Sequence, residues 1–251
     1  MINATLVGLL AGSAILIGAL LGMYLRVSRR ALAAVMAFGA GVLVSALSVD
    51  LMSDAFEASH SALVVSLSFL AGALVFVGGD YVIDHRGGYF RRHSHGLAQI
   101  EKGNSGEDSS GSAILLGTLL DGIPESFVVG ASLAVGGNTG LVFVAAVFLS
   151  NLPEGMSGTM GMKLTGMSNR KILLIWSTTL AVTVLSSVGG YLFLGDAPQS
   201  VHAATMAFAS GAILAMLCDT MIPEAFKFGG RFVALVTVAG FLLAFLLSKA
   251  F

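Results

Sequence analysis

Long stretches almost free of charge leave this chain few ways to fold. A bilayer-crossing helix needs roughly 20 mostly apolar residues. Eight such stretches follow one another, at about 4–25, 33–53, 62–83, 112–135, 140–163, 171–194, 203–225 and 232–249. Backbone amides in hydrocarbon must be satisfied within their own segment, so each stretch is expected to be an α-helix. Composition agrees: 11% of the 251 residues are charged and the mean hydropathy is +0.90, whereas soluble domains carry about 25% charged residues. The fold expected is an all-α integral membrane protein of eight transmembrane helices, forming one domain over residues 1–251. The first stretch is read as a retained span and not a signal peptide, because no basic residue precedes it and its arginines follow it.

Basic residues orient the spans. With the N-terminus outside, twelve of the thirteen Lys and Arg residues, from Arg26 to Arg231, fall in inner loops, and only Lys249 lies outside. That asymmetry follows the positive-inside rule and places both termini outside, in a multi-pass protein of the plasma (cell inner) membrane. The segment "DHRGGYFRRHSHGLAQIEKGNSGEDSSG", residues 84–111, is polar and rich in Gly and Ser without apolar periodicity. It is expected to be a cytoplasmic loop, dividing the spans 3+2+3. A net charge of −1 argues against a nucleic-acid partner. The single cysteine, Cys218, excludes an intrachain disulfide and is read as a small packing residue, while 32 glycines point to closely approaching helices. The expected partners are the lipid bilayer and a small solute, and a homodimer is compatible with the chain.

Ionisable groups at membrane depth are costly and mark functional paths. "LLDGIPESFVVGASL", residues 119–133, carries Asp121 and Glu125 at i and i+4, hence on one helical face. Pro124 between them cannot donate to the carbonyl of Leu120 and distorts the turn. "LSNLPEGMSG", residues 149–158, repeats the device: Asn151 and Ser150 share a face with Glu154, and Pro153 frees the carbonyl of Leu149. Glu125 and Glu154 both fall near the middle of their spans. Two antiparallel helices joined at 136–139 would bring the kinks together as an inverted pair around a midplane site, a secondary-transporter pattern. Two glutamates, an aspartate, an amide and kink carbonyls make an oxygen set suited to a divalent cation. The plainer reading is that kinks and small residues only pack helices with the acids protonated, but packing alone does not call for three buried carboxylates.

Paired x-Pro-Glu motifs in spans four and five of an eight-span chain, with a polar loop after span three, resemble the ZIP (Zrt/Irt-like) family of metal transporters. That family commonly reads HNxPEG in span four and carries a related PEG motif in span five; this chain has "DGIPES" and "SNLPEG". The resemblance implies a metal site shared by spans four and five and import of zinc, iron or manganese toward the cytoplasm. It carries over Glu125 and Glu154 as ligands and Asn151 at a polar ligand position. The chain departs from the family pattern at Asp121, where the family has histidine, at Gly122, and at Asp219 and Thr220, where a His-Glu pair is frequent. Span six has no acidic residue, and Ser186 and Ser187 are the oxygens singled out there. Losing imidazole shifts the ligand set toward hard oxygen and so toward manganese, ferrous iron or magnesium, although zinc also binds carboxylates.

Further acidic residues flank this centre. Asp50, Asp54 and Glu57 near the outer end of span two form either an acidic vestibule that steers cations or a solvated helix end, with Asp50 the deepest of the three. On the inner side, Asp80, Asp84 and His85 close span three, and Asp219 and Glu224 flank Pro223 in "CDTMIPEAF"; Asp219 is expected to be a ligand or exit-path residue and Glu224 an exit-path residue. Met156, Met160 and Met162 are read as packing. No HExxH helix and no Ser–His or Ser–Lys arrangement is present, and the Gly-x-Gly-Asp pattern of intramembrane aspartyl proteases fails at Val77 ahead of Asp80. An enzyme is therefore not expected, nor any cofactor. The expected activity is divalent-metal transport, with the metal as substrate. The alternative is a metal-regulated scaffold or a carrier of another small solute.

Overall fold

The computed structural model describes residues 2–25, 27–83, 107–135 and 139–250, with the backbone alone for 83, 107–114, 135 and 139–142. Among the described residues there are long helices and no strand. They are α1 (Ile2–Tyr24), α2 (Arg29–Ser59), α3 (Ala62–Ile83), α4 (Glu107–Val135), α5 (Thr139–Leu164), α6 (Asn169–Gly195), α7 (Gln199–Gly229) and α8 (Phe232–Ala250). Each covers one of the apolar stretches. Six of them, all but α4 and α5, are long and apolar enough over their described residues to cross a membrane, so the chain is a multi-pass membrane protein. The two others carry the proline–glutamate motifs.

Two boundaries differ from expectation. The polar segment does not run to 111, because α4 begins at Glu107. Asp84 and His85 lie outside the described residues. Helices α2 and α7 are 31 residues long, because neither stops where its apolar run ends. Each instead passes through a π-helical segment, Ala46–Leu51 in α2 and Leu217–Met221 in α7. Side chains supply the starts of two helices: Ser28 Oγ accepts from Ala31 N at 3.2 Å before α2, and Ser168 Oγ from Lys171 N at 3.4 Å before α6.

The helices form two sets. In one, α5 packs along α1 and α4 along α6, with α1 also against α6; in the other, α8 packs along α2 and α3 along α7. Exchanging α1 with α6, α2 with α7, α3 with α8 and α4 with α5 maps this pattern onto itself, the two π segments included. Each of the four main crossings is made by a reciprocal pair of glycines facing the partner's backbone carbonyl: Gly18 with Gly155, Gly130 with Gly190, Gly41 with Gly240, and Gly72 with Gly211. A β-carbon at any of these eight positions would collide with main chain, so the helices touch at the distance that only glycine permits. The glycines expected to draw helices together therefore act in pairs across the bundle.

Candidate carboxylate site

The site is built around the prolines inside α4 and α5. Pro124 and Pro153 lie inside their helices, which continue through them. Such a break in the backbone ladder is tolerated where neighbouring groups take over the freed partners. The carbonyl of Leu149, which Pro153 leaves without its helical donor, lies against Gly39 of α2, and that of Leu152 against Gly18 of α1. The kink of α5 is thus flanked on two sides by helices that carry no side chain at the point of contact.

Asp121 and Glu125 are both buried, Glu125 at 2% exposure, and Glu154 is half-buried. The charged groups that act on Glu125 are both carboxyl groups, Glu154 more strongly than Asp121. Like charges are therefore held within electrostatic reach of one another inside the bundle. Asn151 is 1% exposed; its Nδ2 donates to Ala11 O of α1 at 3.2 Å, while Oδ1 has no hydrogen-bond partner. The α1 contact fixes the amide so that its free oxygen is the acceptor end. Ser150 is buried, but its hydroxyl donates to Val147 O at 3.0 Å in its own helix, leaving only lone pairs to offer. Among the described residues no three or more His, Cys, Asp or Glu side chains converge closely enough to surround one ion in this conformation. The carboxylates are electrostatic neighbours, not a closed cage.

The relation between α4 and α5 is less direct than the inverted pair expected. Each packs chiefly on another helix, α6 and α1 respectively, and they meet each other over a shorter length. The hydroxyls of span six serve this scaffold: Ser186 Oγ donates to Ile123 O at 2.8 Å and Ser187 Oγ to Ala4 O at 3.1 Å. Behind Pro124, a cavity of about 600 Å³ opens between α3, α4 and α7, lined by Ser68, Ile123, Phe127, Thr205 and Phe208 among others. It lies where the two helix sets adjoin.

The flanking residues separate into two kinds. Asp54 and Glu57 are exposed at the end of α2, as a solvated helix end would have them, whereas Asp50 is buried at 7% exposure on the π segment and accepts from Ser248 Oγ. Asp219 is exposed on the second π segment, as is Cys218, which is therefore not a packing residue. Glu224 is half-buried and accepts from Ser157 Oγ at 3.0 Å. Ser157 lies one turn beyond Glu154 on α5, so this bond joins α7 to the helix carrying the site. Asp80 is buried in α3 at 8% exposure. Met156 and Met162 are buried in apolar clusters, in agreement with a packing role. Sequence reasoning passed over Ser45 and Ser248, which carry no motif; only the π geometry singles them out. No protein-family model matches this chain, and no curated protein matches its sequence.

Proposed function

We propose that the protein is a secondary carrier of divalent metal cations of the zinc, iron or manganese class, moving them toward the cytoplasm. In this reading all eight helices cross the plasma (cell inner) membrane with both termini outside, and the Glu125–Glu154 centre lies near the bilayer midplane. The observation that carries it is a buried Glu125 within electrostatic reach of Glu154 and Asp121, on two proline-containing helices inside a membrane bundle. Carboxyl groups so placed are costly to ionise without an occupant and well matched to a doubly charged one. The oxygen-only donor set favours manganese or ferrous iron over zinc. The division into two helix sets, one holding the kinks, supplies the parts for a rigid-body movement around the site.

The test is uptake of Mn²⁺ into proteoliposomes. Glu125→Ala and Glu154→Ala are each expected to abolish uptake while the protein stays folded. Uptake at the wild-type rate in either variant removes that residue from the mechanism.

A further inference from the structure

A second polar centre lies away from the carboxylate pair, on the π segment of α2. Asp50 Oδ1 accepts from Ser248 Oγ of α8, but Asp50 Oδ2 is sealed from solvent and has no hydrogen-bond partner. One widened turn before it, Ser45 is fully buried and its Oγ also lacks a partner. Among the described residues, this is the only solvent-sealed side-chain hydroxyl left unbonded. Its neighbours behave otherwise: Ser48 donates to Val44 O at 2.8 Å and Ser210 to Met206 O at 2.8 Å, each along its own helix. The π segment bonds at i→i+5, as in Met52 N to Leu47 O, and that spacing sets Ser45 and Asp50 one turn apart on one face. Ser45 Oγ and Asp50 Oδ2 are thus two sealed oxygens about one turn apart that bond neither to each other nor to any other group. Helices α5, α7 and α8 close over the segment, and π turns recur at functional sites.

The charge count selects the occupant. One carboxylate with two hydroxyls balances a single positive charge, whereas a divalent ion there would leave net charge buried in the bundle. Lys249 acts on Asp50 through space but is itself exposed, and no hydrogen bond joins its ammonium group to Asp50 Oδ2. We infer that the π turn of α2 is a binding site for a small monovalent cation, sodium in kind, held by Asp50 and the hydroxyls of Ser45 and Ser248. Such an ion ties α2 to α8 and stabilises the set of helices that lacks the proline kinks. This site is distinct from the Glu125–Glu154 centre and its existence does not depend on metal transport.

Purified protein in detergent is melted in sodium chloride and in choline chloride at equal ionic strength. Wild type is expected to melt several degrees higher in sodium. Ser45→Ala and Asp50→Asn are expected to lose that difference, and Ser48→Ala, whose hydroxyl is bonded elsewhere, to keep it. Should Asp50→Asn not fold, Ser45→Ala, which removes a single oxygen, carries the test. Equal melting of wild type in the two salts overturns the inference, since a water or a proton then fills the space; so does a sodium effect that survives Ser45→Ala, or one reproduced equally by Mn²⁺ in the Glu125→Ala, Glu154→Ala background. Mn²⁺ titration of the same preparations reports the other centre separately, so loss of metal binding there leaves the sodium result standing.

Discussion

Replacing Glu125 by glutamine keeps the side chain's size at a position 2% exposed and removes one negative charge. The change acts on two observables in opposite directions. Without a cation, burial first and then the neighbouring Glu154 and Asp121 make a charged Glu125 costly, so the neutral amide melts at or above wild type. With a cation, one carboxylate at about 4 Å contributes roughly 4 kcal/mol per unit charge at an effective dielectric constant near 20. Counting only one of the ion's two charges, at 1.4 kcal/mol per tenfold, losing it weakens divalent binding by at least about a thousandfold. Calorimetric titration with Mn²⁺ and thermal melts in metal-free detergent measure both. A variant that binds Mn²⁺ as wild type does, or that melts well below it, refutes the reasoning and makes Glu125 a packing residue.

Three further outcomes follow from the same geometry. Asp121→His places an imidazole beside Glu125 and shifts competition between Zn²⁺ and Mn²⁺ toward zinc, by about tenfold; unchanged selectivity places Asp121 away from the ion. Asn151→Asp removes the Nδ2 donor to Ala11 O and turns acceptor oxygens toward a carbonyl at a position 1% exposed, so denaturation in detergent should show a loss of about 1–3 kcal/mol. Gly155→Val drives a side chain into the Ile15 carbonyl of α1 and costs about 3 kcal/mol or prevents assembly. Gly189→Ala, where nothing lies within 4 Å, instead stabilises by about 0.5–1 kcal/mol. Equal melting of these last two variants would contradict the reciprocal-glycine crossings.

The helical class was legible because hydrocarbon leaves a backbone one local solution, and every apolar stretch became a helix where it was expected. The helical placement of the motifs was legible too, since the apolar runs continue through Pro124 and Pro153 and Asp121 and Glu125 share a face by spacing alone. The length of α2 and α7 was not. A π turn adds a residue without interrupting hydrophobicity, so Ala46–Leu51 looks in sequence like any other apolar turn. Asp54 and Glu57 were ambiguous for a related reason: helical spacing sets the face but not whether another helix covers it, and here they are exposed.

The amino-acid sequence by itself determined that the chain is a bundle of membrane helices and that two of them carry a proline beside a glutamate, because both follow from a single segment. Which helices touch was decided by tertiary structure. Glycine can admit any neighbour, and only the packed bundle pairs Gly18 with Gly155 and Gly41 with Gly240. The same holds for the acids. Glu154 comes within electrostatic reach of Glu125, and Ser248 reaches Asp50, across 198 residues of chain. Contacts of that range depend on crossing positions that no local rule encodes.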